Sequence, residues 1–279
     1  ALQGFQKKKD VVVAVIDTGI APKHPYIASN LWVPDGTLGP MNFGRDFSKA
    51  RESASAPTDR HGHGTHIAGI IKGVFKDVRI LALKYYSPIA SGEENLNATI
   101  QALRFAVDSG VDIINYSGGG PEASPEELSL LERARDKGIL VVAASGNEES
   151  DIDKQGKAYY PASYGLPNIM TVTAHGQDLE ILSTSNIGKV HVDISAPGDR
   201  IKSALPFGRA GMLTGTSQAT AFVTGVAALI KAQHPNMKAR EIRALITASA
   251  KRLKSMKEAC ASGGVLDAGA ALKLAAKKN

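Results

Sequence analysis

Leu213-Thr214-Gly215-Thr216-Ser217-Gln218-Ala219-Thr220-Ala221-Phe222-Val223-Thr224-Gly225-Val226-Ala227-Ala228-Leu229-Ile230 is the stretch from which the rest of the chain can be read. It opens small and hydroxylated. Its remainder places apolar residues at i, i+3, i+4 and i+7 (Phe222, Val226, Leu229; Val223, Ala227, Ile230), so the spacing predicts a turn leading into a buried helix. Ser217 then falls in the first helical turn, where unpaired backbone N–H groups and the positive end of the helix dipole favour a developing oxyanion. Taken alone, Gly-Thr-Ser reads more simply as a helix cap. The remainder of the chain decides between the two.

Working outward, apolar runs ending in polar residues recur. Val11 to Ile16 is a β-branched run closed by Asp17-Thr18-Gly19, and Val111 to Tyr116 runs into Ser117-Gly118-Gly119-Gly120. Ile139 to Ala144 ends in Ser145-Gly146-Asn147, and Val78 to Lys84 is a further run. Unalternating apolar runs of this length are strands buried on both faces. Helices are predicted from about Asn97 to Ser109, from the Ser124-Pro125-Glu126-Glu127 capping box to Lys137, and over 238–249 and 267–277. Further strands are expected at 43–47, 168–173, 190–195 and 200–205, the last turning at Phe207-Gly208-Arg209. Strands alternating with helices predict a parallel sheet between helical layers, in a single domain spanning 1–279.

Asp59-Arg60-His61-Gly62-His63-Gly64-Thr65-His66 enters another apolar helix. His61 and His63 could suggest a metal, but the flanking glycines favour a loop-to-helix entry and no matching ligand cluster is evident elsewhere, so His63 fits a general base better. The glycines at 118–120 lack the Gly-Lys-Ser/Thr ending of a phosphate loop and read instead as an exposed backbone edge. Serine is a weak nucleophile until a base takes its proton, the base needs a carboxylate to hold its tautomer, and the oxyanion needs a donor. Ser217, His63, Asp17 and Asn147 supply these four parts.

The bulk properties narrow the possibilities. The chain has 279 residues, 43% of them hydrophobic, and a net charge of +6. The charge is concentrated after residue 230, where 11 Lys/Arg face 3 Asp/Glu without an aromatic ring for a base to stack on, so nucleic acid is not an expected partner. No run approaches the ~18 apolar residues of a membrane span, and the one cysteine, Cys260, has no partner for an intrachain disulfide.

Val-Ile-Asp-Thr-Gly at 15–19, His-Gly-Thr-His-Ile-Ala-Gly at 63–69, Ala-Ser-Gly-Asn at 144–147 and Gly-Thr-Ser-Gln-Ala at 215–219 resemble, in order, the four signature blocks of the subtilisin-like serine proteases. The resemblance implies a three-layer α/β/α sandwich on a mainly seven-stranded parallel sheet, and a serine endopeptidase. It implies Ser217 as nucleophile, His63 as acid and base, Asp17 as its carboxylate and Asn147 as oxyanion donor. Substrate is expected as an extended strand between Ser117-Gly118-Gly119 and Ser91-Gly92-Glu93. The pocket for the residue before the cut bond would have Ala144-Ser145-Gly146 as a wall, Tyr159 at its floor and Glu148 at its rim, while Gly118 would leave the pocket three residues upstream wide.

Two departures from the family stand out. The nucleophile helix reads Ser217-Gln218-Ala219-Thr220-Ala221-Phe222 instead of Ser-Met-Ala-Thr-Pro-His, which motivates an alternative, a catalytically weak relative acting as a peptide-binding or regulatory module. A metal-dependent hydrolase using His61 and His63 is a third reading. The loop that wraps a tight calcium ion in relatives is missing after Gly69, so no cofactor is expected beyond a weak Ca2+ site. The implied partners are protein or peptide substrates, with a propeptide or protein inhibitor as further candidates. The protein is expected to be a monomer, secreted or periplasmic once any signal and pro-segment are removed, with an intracellular location left open.

Overall fold

Continuous apolar runs form the centre of the fold because neither face of these strands meets water. The computed structural model describes residues 5–32, 43–48 and 56–278. Its main sheet contains β1 (Val12–Asp17), β2 (Gly44–Asp46), β3 (Arg79–Lys84), β4 (Ile113–Tyr116), β5 (Leu140–Ala144), β6 (Ile169–His175) and β7 (Ile194–Pro197). A hairpin, β8 (Ile201–Leu205) and β9 (Arg209–Leu213), stands apart, and two short strands, β10 (Lys251–Arg252) and β11 (Gly264–Val265), rejoin the sheet. The order is β10-β11-β7-β6-β5-β4-β1-β3-β2. All seven strands from β7 to β2 pair parallel, as expected, and β11 adds a further parallel contact through Val265 and Ser195, with β10 antiparallel at the edge.

The helices are α1 (His63–Val74), α2 (Gly92–Asp108), α3 (Pro125–Asp136), α4 (Thr216–Gln233), α5 (Ala239–Ala248) and α6 (Ala268–Ala276). Alternation along β1 assigns them to layers. Val13 and Val15 pack in one core with Ile67 and Ile71 of α1, Val223 and Val226 of α4, and residues of α5 and α6. Ala14 and Ile16 pack in another with Leu103 and Val107 of α2 and Leu131 of α3. This is the three-layer sandwich.

Close approach fastens α1 to its neighbours. A Cβ on Gly225 of α4 would stand 2.5 Å from Val74 Cβ, and one on Gly69 of α1 would meet Ser203 and Ala204 of β8. Only glycine lets these backbones come so near. The chain winds from β1 to β3 on one side and then crosses to β4 on the other. Such a reversal opens a crevice at the C-terminal strand ends, where α/β sheets bind ligands.

Three local expectations are corrected. α2 begins at Gly92 instead of near Asn97, because Ser91 and Glu94 form a reciprocal capping box: Glu94 N–H donates to Ser91 Oγ (3.2 Å) and Ser91 N–H to Glu94 Oε2 (2.7 Å). At Ser124 only half of the predicted box forms. Glu127 N–H donates to Ser124 Oγ, but the Glu127 carboxylate turns inward to the hydroxyls of Tyr116 (2.6 Å) and Tyr164 (2.8 Å). β7 starts at Ile194 instead of Val190, since Val190 and His191 are drawn into a turn by Asp153, which accepts from both backbone N–H groups and pairs with the His191 ring. The expected strand at 43–47 appears as the shorter β2, whose neighbours at 33–42 and 49–55 lie outside the described residues.

Candidate active site

β1 ends in a carboxylate at the C-terminal rim of the sheet. Asp17 is 3% exposed and accepts hydrogen bonds from Thr18 N–H (2.7 Å) and from His63 Nδ1 (2.7 Å). With Nδ1–H donating to Asp17, Nε2 of His63 carries the lone pair and can accept a proton. Burial pulls the His63 pKa down, but the Asp17 charge and hydrogen bond, with the Asp59 charge behind them, outweigh it, so the net shift is upward.

His63 is the first residue of α1, and a buried residue four positions earlier holds it there. Asp59 accepts from the N–H groups of His61, Gly62 and Thr65 and from the Thr65 hydroxyl, the shortest of these at 2.6 Å. It also accepts from Thr18 Oγ1 (3.0 Å), and Thr18 Oγ1 in turn accepts from Gly64 N–H (2.9 Å). Asp59 therefore ties the start of α1 to the end of β1 and fixes the histidine against the aspartate. Sequence reasoning gave Asp59 no role, although a carboxylate just ahead of a helix start is the signal of a cap.

Ser217 is the second residue of α4 and is 6% exposed. Its Oγ donates to the Ser117 carbonyl (3.2 Å), and among the described residues neither its N–H nor His63 Nε2 has a hydrogen-bond partner. Asn147 is oriented by the same helix start: its Oδ1 accepts from Thr216 N–H (3.0 Å) and Thr216 Oγ1 (3.2 Å). With the oxygen committed to two donors, the amide NH2 of the exposed Asn147 is left without a hydrogen-bond partner among the described residues. The loop carrying Asn147 hangs on Asn186, which sequence reasoning missed. Asn186 is 1% exposed, accepts from Glu148 and Ser150 N–H, and donates to the Ser145 carbonyl and the Glu148 carboxylate.

The residues expected to contact substrate are only partly brought together. Gly118 and Gly119 make no backbone hydrogen bond among the described residues and form a free edge that ends where Gly120 pairs with Tyr160. Ser91, Gly92 and Glu93 offer no extended edge opposite, because Ser91 caps α2 and the other two form its first turn. Tyr159 lies between the two walls: a Cβ on Gly119 would clash with its Cε1, and one on Gly146 would stand 3.0 Å from its Cε2. Burial, with the Glu148 charge adding, pushes its phenol up, so the ring stays neutral at any working pH. Gly118 does not widen the upstream pocket directly, since the Tyr85 hydroxyl occupies the space its side chain would take. Cys260 is buried.

A serine in the first turn of a helix, an Asp–His pair and an exposed amide whose NH2 is uncommitted, gathered at the C-terminal rim of a parallel α/β sheet, define the class of subtilisin-like serine hydrolases. The profile of the subtilase family matches residues 8–266. The chain belongs to that family. It is 35% identical to the major intracellular serine protease of Bacillus subtilis (strain 168), over 81% of this chain and 69% of the relative. Subtilisin DY of Bacillus licheniformis is 32% identical over 90% and 87%. Among solved structures, that of the subtilase cytotoxin SubAB superposes with a TM-score of 0.80 at 25% identity, covering 99% of this chain and 93% of that one. The protein is thus a subtilisin-like serine peptidase.

The other two readings gain nothing from these findings. α4 runs unbroken through Ala221 and Phe222, and the relatives are serine proteases. His61 turns its ring to Tyr86, with centroids 5.6 Å apart, while His63 is bound to Asp17. No group of three or more His, Cys, Asp or Glu able to hold a metal occurs among the described residues, and no helix among them is long and apolar enough to cross a membrane.

Proposed function

We propose that this peptidase is an endopeptidase that works through an acyl-enzyme on Ser217. Ser217 Oγ turns from the Ser117 carbonyl towards His63 Nε2, gives up its proton there and bonds to the scissile carbonyl carbon. The oxyanion is held by Asn147 Nδ2 and Ser217 N–H at the positive end of α4. Collapse breaks the C–N bond as His63 returns the proton to the leaving amine. Water, deprotonated by the same histidine, then hydrolyses the ester. The observation that supports this reading is the Asp17–His63 pair together with the exposed Asn147 amide, whose oxygen is held by Thr216 so that its NH2 is left to donate.

Substrate lies along the free Gly118–Gly119 edge and is held by backbone hydrogen bonds. Tyr159 shortens the pocket for the residue before the cut bond and Glu148 stands beside it, so small or long flexible side chains, including basic ones, are favoured over Phe and Tyr. Catalysis needs no metal. The turn between Val74 and Arg79 holds a single carboxylate, Asp77, and does not fit a calcium cage, which takes six to eight oxygen ligands. Secretion is part of the same reading; an intracellular protease stands among the relatives, and fractionation of the native host decides the compartment.

Casein hydrolysis tests the mechanism. Inhibition by a serine-directed phosphonylating reagent, indifference to a chelator and loss of turnover with retained peptide binding in Ser217→Ala are expected. Asn147→Ala should lower kcat by about 100- to 1,000-fold, a range taken over from subtilisin's own oxyanion asparagine. An Asn147→Ala enzyme as fast as the parent refutes its role.

A further inference from the structure

On the face that β4 turns to α1 and α4, the apolar Ile113 is followed by Asn115. This amide stands in register with Val15 of β1 and Val142 of β5, both part of the core that receives the two helices, and it is 0% exposed. A valine would pack there with no polar group to satisfy, whereas a buried amide is tolerated only when it is hydrogen-bonded. Both ends of the amide are engaged. Oδ1 accepts from Thr224 Oγ1 of α4 (2.8 Å), and Nδ2 donates to Ser117 Oγ (2.7 Å).

Thr224 departs from the habit of threonines inside helices. Such a hydroxyl commonly donates to the carbonyl four residues back, as those of Thr99, Thr220 and Thr247 do. Thr224, also fully buried, gives its single hydrogen to β4 instead. Ser217 and Thr224 are seven residues apart, nearly two turns, and so share a face of α4. Asn115 and Ser117 are two apart and point the same way, as their mutual bond requires. α4 is thus stitched to this segment twice, by Thr224 at the Asn115 amide and by Ser217 Oγ at the Ser117 carbonyl (3.2 Å). β4 ends at Tyr116, and Ser117 leads directly into the Gly118–Gly119 edge, whose glycines have no side chains to hold it. The Asn115 amide carries the order of the strand one residue past its end.

Resting on the reading of Ser217 as nucleophile and of the glycine run as the substrate edge, we propose that Asn115, anchored by Thr224, is a positioning residue that fixes the substrate edge against the nucleophile helix. Its effect passes through Ser117. It governs how an extended peptide meets Ser217 and leaves the reactivity of Ser217 itself unchanged.

Thr224→Val keeps the shape of the side chain and removes the hydroxyl, while Thr224→Ser keeps the hydroxyl. Well below the melting transition of each variant, Thr224→Val should lower kcat/KM for an extended peptide about three- to tenfold, with Thr224→Ser close to the parent. The rate of labelling by a small phosphonylating reagent, which does not use the edge, should change less than about twofold in both. Asn115→Ala should cost about 10- to 100-fold on the peptide, and in a Ser117→Ala background, where the amide has no hydroxyl to hold, it should add less than about twofold. If Asn115→Ala does not fold, the threonine pair decides alone. Peptide cleavage unchanged in Thr224→Val, cleavage and labelling falling in step, or full additivity of Asn115→Ala with Ser117→Ala overturns the proposal and leaves the hydrolytic reading standing. A parent enzyme that the reagent does not label at Ser217 ends both.

Discussion

Asn186→Ala removes four side-chain hydrogen bonds at once while leaving the local backbone bonds in place. Those lost are to the Ser145 carbonyl (2.8 Å), the Glu148 carboxylate (2.6 Å), and the N–H groups of Glu148 and Ser150 (3.0 Å each). The N–H groups belong to exposed and half-exposed residues and can turn to water. Ser145 is fully buried, so its carbonyl has no such recourse. An orphaned buried acceptor costs about 1–3 kcal/mol and each replaced bond under about 1, so the variant should lose about 3 kcal/mol. For a chain of this size that lowers Tm by roughly 6–10 °C. Calorimetry in the Ser217→Ala background measures it free of self-digestion. The functional consequence separates positioning from mere stability. Asn147 lies between two residues held by Asn186, so kcat should fall about 10- to 100-fold at nearly constant KM, in line with the cost of misplacing a catalytic group by an ångström or less. A lowered Tm with kcat unchanged would show that Thr216 alone orients Asn147, and an unchanged Tm would refute the hydrogen-bond accounting.

The base must be neutral to accept the Ser217 proton, and the His63 pKa is raised, so kcat/KM should climb with pH through a midpoint above the ordinary imidazole value of about 6.5. A midpoint below 6 or a flat profile contradicts the Asp17–His63 pairing. Because the α1–β3 turn lacks the oxygen ligands of a cage, a chelator should leave Tm nearly where it was, whereas a tightly bound calcium would raise it by mass action; a fall of many degrees would reveal an unrecognised site. Tyr159→Gly should open the first pocket and raise cleavage after Phe and Tyr relative to Ala in a mixed peptide library. Parent enzyme that already prefers Phe would mean that the ring between Gly119 and Gly146 does not block it.

The central strands and the four residues of the candidate site were legible because both depend on local sequence. A strand buried on both faces must be apolar throughout, and the functional groups follow directly at its end, as Asp17 follows Ile16 and Asn147 follows Ala144 and two small residues. β10 and β11 were not legible. They are two residues each, and Lys251-Arg252 and Gly264-Val265 carry no period to read. The start of α2 was legible in principle, since Ser91 and Glu94 stand at capping-box spacing, but the glycine and the polar run around them masked it. The positioning residues were hidden for a different reason. Thr216 and Asn186 are polar side chains whose burial and partners arise only when distant segments meet, 38 to 41 residues apart for Asn186 with Glu148 and Ser145, whereas Asp59 bonds mostly within its own turn and only its tie to Thr18 is distant. Gly118 misled in the same way: the missing side chain was evident, but not the Tyr85 hydroxyl that replaces it.

The glycine contact between α1 and α4 bears on how this site keeps its shape. His63 and Ser217 are each carried at the tip of a helix, and the place where those helices touch, Val74 on Gly225, lies about 16 Å along one and about 12 Å along the other. The two helices form the arms of a pair of tongs closed at this pivot. A wedge as small as one methyl group there opens the tips in proportion to arm length, and a rim loop redesigned for a new substrate leaves them where they are. Fidelity of the proton transfer and freedom to alter specificity are thereby assigned to separate parts of the chain, one deep between helices and the other at the open end of the sheet.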